Sequence, residues 1–542
     1  MTTTASNPIG PKPLSSAANR WFTLRDSKPA PATKWQIRHM LTAEQIGHLR
    51  HFDNLSRQLP NDWSLMQGKG IGQDDFGGYR FQLAYMAYAL ALTHVHRLPA
   101  ARGVFKKTFE RLIEKMLSPE VWMYWRDTSR GGAVFNAHLV NRLKEEWDPV
   151  VRDNIMYSAY VQSMALLYHY LFDDDRYAQP GALTFAHWSS FWGGAERRFA
   201  YDENALNDHI YWQMVENGYV GVACEPNCIF QICNQPAILG FRLHDLIHGG
   251  KRADEVTRAY EQAWQQFGRL DADGHYNMML LQDGRAVLPN AMERPWVDAW
   301  CGTLMNMWNR DFVHAHYPKQ VAELLESEVG GTLSVRVNAP PEGPGPRVVA
   351  DSCDFGWVAT WASEMGDADT LNGLLTHADR YMSPMWRDGG LYYPRNDAER
   401  NAGRRTMMEP LTGNALLGYA RLNVPDGLWR LYNEPWSRTR FHEPALVEVD
   451  DDIDVYDATY DPQARRLRFA IRRRADRTAN GRVVVRNLGR TSRWSVDHGE
   501  RIVESDPGAT SIGGGLRVSR DGDDRVLHAP VSAELRTIVV EL

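Results

Sequence analysis

NIMYSAYVQSMALLYHYLF, residues 154–172, repeats its apolar side chains every three to four positions, the period of a helix that buries a face. The same period runs through YRFQLAYMAYALALTHVHR (79–97), PAILGFRLHDLIHGG (236–250), ADEVTRAYEQAWQQFGRL (253–270), WVDAWCGTLMNMWNRDF (296–312) and FGWVATWASEMGDADTLNGLLTHADRY (355–381). Gly, Pro and Asp mark the turns between these segments, and nothing among them reads as a parallel strand repeat. From about Thr42 to about Asn423 the chain therefore reads as a succession of roughly a dozen helices. That number suits antiparallel pairs closed into an (α/α) toroid, a mainly α fold whose loops at one end surround a central pocket.

The period changes near Glu443. ALVEVDDDIDVYDATYD, RRLRFAIRRR, GRVVVRNL and AELRTIVVEL alternate apolar with charged side chains between Gly, Asp and Asn turns, which predicts an antiparallel β-sandwich with one solvated face. The expected organisation is a loose leader over residues 1–35, a helical domain over 36–430 and a β domain over 440–542.

Of 542 residues, 61 are Lys or Arg and 67 are Asp or Glu, a net charge of −6 with an isoelectric point near 6.3. No basic excess serves a phosphate backbone, so a nucleic-acid partner is not expected. No run approaches the roughly 20 apolar residues of a membrane span, and the Pro-, Ser- and Thr-rich N-terminus lacks the apolar core of a secretory signal. Five cysteines exclude a dense disulfide framework and fit a reducing, cytoplasmic setting. Assembly as a homo-oligomer stays open.

Three of those cysteines fall within ACEPNCIFQICN, beginning at Ala223. Structural zinc favours close Cys pairs completed by a second pair or by histidines, and the C-x3-C and C-x4-C spacings here are poor for it. A structural zinc is therefore not expected. Pro226 is placed to open a helix, which would leave Cys224 on the entering loop and set Cys228 about 140° from Cys233 around the axis. On that geometry Cys224 and Cys233 share a pocket while Cys228 packs. A lone buried Cys is most simply a small hydrophobe, but three so close, with Glu225 among them, point toward thiol chemistry.

CEPNCIFQICN resembles the cysteine segment of the linalool dehydratase/isomerase family, which reads C-E-P, six residues, then C-N; Cys224, Glu225, Pro226, Cys233 and Asn234 match. NIMYSAYVQSMALLYHYLFDDDRY is similar to a family helix that begins N-I-M-Y. RHFDNLS resembles the early helix that carries the catalytic aspartate, which falls on Asp53. VWMYW resembles a pocket loop, FQLAYMAYALA a pocket helix and ASEMGD a late helix. The resemblance implies an (α/α)6 enzyme that removes water from, or isomerises, a small unsaturated alcohol without metal or cofactor. Cys224, Cys233 and Asp53 would act as acid and base. The family's histidine falls on Tyr160, which joins the catalytic set, and two pocket tyrosines fall on Leu59 and Phe81. The C-terminal β domain has no counterpart there, and Cys228 is an addition.

Loss of an allylic hydroxyl needs a proton delivered to oxygen and one removed from carbon, and a neutral thiol opposite a carboxylate supplies both. Trp122, Trp125, Phe81, Phe230, Glu225, Tyr276 and Tyr392 are the expected substrate contacts, the aromatic ones facing developing cationic charge. Asp74 and Asp75, in GIGQDDFGGYR, read first as a capped turn. Asp354 reads as a helix cap and His209 as structural. Two other readings stand beside the lyase. One is a carbohydrate-active enzyme using a carboxylate pair such as Asp53 with Asp75 or Glu225. The other is a binding protein without turnover.

Overall fold

A computed structural model describes residues 40–67, 78–131, 136–139, 142–189, 191, 194–291, 293–328, 330–336, 353–395, 399–400, 404–405, 408–474, 481–489, 492–499, 501–503, 509–530 and 534–542. The expected leader and the Asp74–Asp75 turn lie outside the described residues.

Twelve principal helices occur among the described residues. They are α1 (Ala43–Ser56), α2 (Tyr79–His96), α3 (Arg102–Met116), α4 (Ile155–Phe172), α5 (Glu203–Glu216), α6 (Gln231–His248), α7 (Arg252–Phe267), α8 (Pro295–Met305), α9 (Arg310–Leu324), α10 (Cys353–Met365) and α11 (Ala368–Tyr381). The last, α12, opens as a π-turn over Leu411–Leu416 and runs on over Leu417–Leu422. Even-numbered helices form the inner set. Each packs on the next, α2 on α4, α4 on α6, and so on through α8 and α10 to α12, and α12 returns to α2. Odd-numbered helices lie outside, α3 on α2, α5 on α4, α7 on α6, α9 on α8, α11 on α10 and α1 on α12.

The two sets differ in the way their positions demand. All of α4 is buried, polar Gln162 and Ser163 included, so this helix buries its whole circumference rather than one face. The uniformly apolar sequence that would mark a membrane helix here marks a helix walled by others. Outer α7 buries only Ala253, Val256, Tyr260, Ala263 and Trp264, a single stripe. Where α4 and α6 meet, Gly240 lies under Gln162; a Cβ on Gly240 would stand 2.3 Å from the Gln162 side chain.

Beyond the helices the chain forms two five-stranded antiparallel sheets. Their strands are β1 (Ala445–Val449), β2 (Ile453–Asp461), β3 (Arg466–Arg473), β4 (Gly481–Arg486), β5 (Arg493–Val496), β6 (Ile502–Val503), β7 (Thr510–Gly513), β8 (Leu516–Asp521), β9 (Asp524–Ala529) and β10 (Arg536–Glu541). One sheet runs β1-β4-β9-β8-β7 and the other β2-β3-β10-β5-β6. Val483, Val485 and Leu527 of the first and Leu467, Phe469 and Val540 of the second belong to one continuous apolar core.

Residues 39–542 form one compact unit. At the contact of helices and sheets, Leu41 N donates to Tyr456 O (2.7 Å), Ala100 N to Ala458 O (3.0 Å) and Leu446 N to Ala100 O (2.7 Å). Arg50 pairs with Asp454 at 2.6 Å. Gly103 is required there, since a Cβ would stand 2.5 Å from the Val447 carbonyl carbon. No helix among the described residues is long and apolar enough to cross a membrane.

Candidate active site

Side chains from the first two turns of five inner helices converge. Phe81 and Tyr85 come from α2, Tyr160 from α4, Cys233 from α6, Trp300 from α8 and Trp357 from α10. The rings meet mostly edge to face: Phe81 with Tyr160 (6.1 Å between centroids) and Trp300 (5.7 Å), Tyr85 with Tyr160 (5.7 Å) and Trp357 (4.6 Å). Trp300 and Trp357 stack at 4.3 Å. Tyr85 Oη accepts from Trp300 Nε1 (2.5 Å) and from Tyr160 Oη (3.3 Å). Burial, and then Tyr85 nearby, push the Tyr160 hydroxyl well above its ordinary range, so it stays protonated and a donor.

Cys224 reaches this group from a loop held at both ends. Asn154, in the left-handed conformation at φ 54°, donates its N–H to the Cys224 carbonyl (3.0 Å) and accepts the Tyr124 hydroxyl on Oδ1 (2.6 Å). Asn234, beside Cys233, clamps the loop from within: Val222 N donates to its Oδ1 (2.8 Å) and its Nδ2 to Val222 O (3.1 Å). Gly221, at φ +127°, makes room, because a Cβ would meet Asn234 Nδ2 at 2.7 Å. The C-N pair thus joins Cys233 to the residue that positions the Cys224 loop.

The helix expected from Pro226 begins instead at Gln231. Residues Cys228–Ile229 form a short strand paired with Met279–Leu281, which pairs in turn with Ala286–Leu288. That pairing, with a bridge between Glu225 and Cys228, keeps this segment extended although a proline is well placed to open a helix. Cys228 is therefore set apart by strand geometry, not by an angle around a helix. Its Sγ lies 3.8 Å from the Asn136 amide nitrogen, and burial pushes the thiol up to about 12. Pro236 falls inside α6.

Cys224 and Cys233 are free and buried, and each lies close enough to act on the other's pKa. Cys233 works to lower the Cys224 pKa, but burial and the nearby Glu225 outweigh it and the thiol lies above its usual range. Burial, then Cys224 beside it, raise Cys233 much further. Glu225 is partly buried, and burial holds its carboxyl above the ordinary range against Arg80 and Cys224. Cys233, Cys224 and Glu225 thus form one group of proton-bearing side chains. Arg80 lies over the rings of Tyr124 (4.0 Å) and Phe81 (4.3 Å).

Asp53 is placed differently. It lies on outer helix α1 at the helix–sheet contact, in a cleft lined by Arg50, Lys107, Thr108, Asp451 and Asp454, with no cysteine among its lining residues. Its carboxylate pairs with Arg111 (2.5 Å) and Arg57 (2.8 Å) and accepts from Thr108 (2.8 Å). Burial works to raise its pKa, yet Arg57, Thr108 and Arg111 outweigh it and keep it below the ordinary range. The resemblance of RHFDNLS counts this carboxylate among the catalytic groups; the structure places it among paired arginines at the helix–sheet contact.

The other expected contacts are placed as follows. Trp122 donates to Leu117 O (3.1 Å) and packs on Phe185. Trp125 is fully buried. Phe230 precedes α6 and its carbonyl accepts from Asn234. Tyr276 lies with its hydroxyl 3.9 Å from Met305 Sδ, and its neighbour His275 is bonded to both Asp298 and Glu323. Tyr392 stacks on His51 at 4.6 Å. Leu59 is 73% exposed. Asp354 accepts from Trp296 N (2.8 Å) and so caps neighbouring α8, not its own helix. Arg80, Tyr85, Tyr124, Trp300 and Trp357 were not anticipated, although Arg80 as a lone charge entering the apolar run of α2 was a visible signal.

The first two turns of the inner helices, with the loop that precedes α6, thus bring two thiols, a carboxyl group and a set of aromatic rings together in a mainly helical protein. The family model of linalool dehydratase/isomerase matches residues 80–399, more than half of the chain, and the protein belongs to that family. Among solved structures, an inactive variant of the alpha-1,6-mannanase GH76A of Salegentibacter sp. HEL1_6, with bound alpha-1,6-mannotetrose, is 12% identical over 70% of this chain and 98% of its own, at a TM-score of 0.40. The Lin0763 protein of Listeria innocua is 11% identical over 69% and 96%, at 0.39. A polysaccharide lyase, BACCELL_00875, is 12% identical over 73% and 99%, at 0.35. At these values the likeness carries no argument about this chain.

Proposed function

We propose that the protein is a lyase or isomerase of a small unsaturated alcohol, acting by thiol and carboxylate proton transfer inside an (α/α)6 toroid. The return of α12 to α2 supports the toroid, and the contact of β1 and β2 with α3 and α1 supports a sandwich docked on its outer layer. The observation that carries the chemistry is the grouping of Cys233, Cys224 and Glu225, close enough to act on one another's pKa, beside an aromatic wall.

In the dehydration direction, the Cys233 S–H protonates the substrate hydroxyl, and the C–O bond breaks with its electron pair leaving on water. Glu225 takes the proton from the neighbouring carbon, and that C–H pair becomes the new π bond. The Cys233 thiolate is then reprotonated by Cys224, which recovers a proton from Glu225, so the site returns to its starting state. A thiol whose pKa burial has raised stays protonated at neutral pH, as a donor must. Arg80 favours the ionised form of Glu225. Tyr85, Tyr160, Phe81 and Trp300 face allylic cation character with their rings and exclude water that would capture it. Capture at the other allylic carbon gives the isomerised alcohol.

Single-turnover assays against a panel of short-chain and terpenoid alkenols test this reading. The expected result is water loss or hydroxyl migration that alkylation of the thiols abolishes. Glycoside hydrolysis that survives alkylation would replace the reading with the carbohydrate-active one, and ligand binding without turnover would replace it with the binding protein.

A further inference from the structure

His169 in the last turn of α4, Glu203 at the first position of α5 and His248 at the last position of α6 bring their ligand atoms within 4.8 Å of one another. His169 Nδ1 is 2.6 Å and His248 Nε2 3.3 Å from the same oxygen, Glu203 Oε1. Glu203 is wholly buried, and its other oxygen, Oε2, is buried without a hydrogen-bond partner. A buried carboxylate oxygen without a partner is costly, and a cation seated among the three groups would offset that cost.

The surroundings favour a metal ion as that cation. Zinc with nitrogen and oxygen ligands at about 2.0–2.2 Å spaces neighbouring ligand atoms about 3.3 Å apart. The His248–Glu203 separation already has that value, and the His169–Glu203 pair opens by under about 1 Å to reach it. Two imidazoles and one carboxylate suit borderline first-row cations. His244 stands one turn before His248 on α6, with its ring 4.6 Å away. Its Nε2 faces Asn204 Oδ1 at 3.1 Å, a bond the imidazole donates, which leaves an acceptor lone pair on its buried, unpartnered Nδ1. The His248 side chain is 31% exposed, giving the ion a way in.

We propose that His169, Glu203 and His248 bind one divalent first-row metal ion that ties α4, α5 and α6 together. The site is separate from the thiols: Cys233 and His248 lie fifteen residues apart along α6, about 22 Å of helix rise. It acts on the fold and takes no part in the proton transfers.

The probe is zinc alone. Full-length protein freed of metal by chelation is incubated with Zn²⁺, desalted, and its zinc content and Tm measured. The expected result is about one zinc per chain, with a raised Tm, in the wild type and in Cys224→Ser/Cys233→Ser. Retention is expected to weaken at least about tenfold in His248→Ala and in Glu203→Gln, with the zinc-dependent Tm rise gone. His248 is partly exposed, so His248→Ala keeps the test valid where Glu203→Gln fails to fold. A wild type that retains no zinc overturns the proposal and leaves a cluster bridged by protons. So does a folded His248→Ala that retains zinc as the wild type does, or retention lost only in the cysteine variant.

Discussion

Cys224→Ala and Cys233→Ala are each expected to lower kcat on a responsive alkenol by about 10²-fold or more with the fold intact, the usual size of a lost general acid or base. Cys228→Ala is expected to stay within a few-fold. The contrast follows from placement: Cys224 and Cys233 lie close enough to act on each other's pKa, while Cys228 is fixed in a strand against Asn136. Because the two reactive thiols sit in one group, their losses should not add; the double variant is expected to be close to the worse single one. Single-turnover conversion, with circular dichroism on each variant, makes the measurement. Equal tolerance of all three replacements would leave the thiols as core residues.

Glu225→Gln and Asp53→Asn are expected to part company in a way that tests where the base is. Glu225→Gln keeps shape and removes basicity, and should cost about 10²-fold in kcat. Glu225 has a raised pKa, so its active, ionised form appears only as pH climbs past that value; the acid limb of the wild-type profile is expected above the ordinary carboxylate range and absent in Glu225→Gln. Asp53→Asn should leave kcat within a few-fold and cost about 2 kcal/mol of stability, since it unpairs Arg111 and Arg57 at the helix–sheet contact. Its pKa is depressed in the fold, so the stability it confers is present above the ordinary Asp value and fades as pH falls through the folded one. A large loss of kcat in Asp53→Asn with unchanged stability would return the base to α1.

The helices were legible because their period was, and the two sets differ in burial: all of α4 is covered, while α7 buries a single stripe. The change to period two near Glu443 marked the sheets as clearly. The thiol pair was legible from spacing and the C-N motif, but not the reason for Asn234, which depends on the loop before α6 folding back so that Val222 meets it. Asp53 went astray because a short motif shows residue type and not which side of a helix faces the pocket. The aromatic wall needed long-range closure, with Tyr85 and Trp300 separated by 215 residues. The spacing of His244 and His248 was on view, yet Glu203 and His169, which complete the cluster with His248, meet it only through the contact of α5 with α4 and α6.

The bond from Leu446 N to the Ala100 carbonyl, with those from Leu41 and Ala100 to β2, bears on how the chain is made. As it leaves the ribosome, the stretch from α1 to α3 is synthesised more than three hundred residues before the strands that cover it. For that interval its outer surface, with Leu41, Gly103 and the Asp53 cluster, has no sheet against it. A nascent chain halted at Asn433 is therefore expected to carry a sticky early segment even after its helices have formed, to be held by chaperones, and to be cut by protease near α1 and α3 sooner than the finished protein. Equal protease resistance of the halted and finished chains would show that the first helices need no such cover.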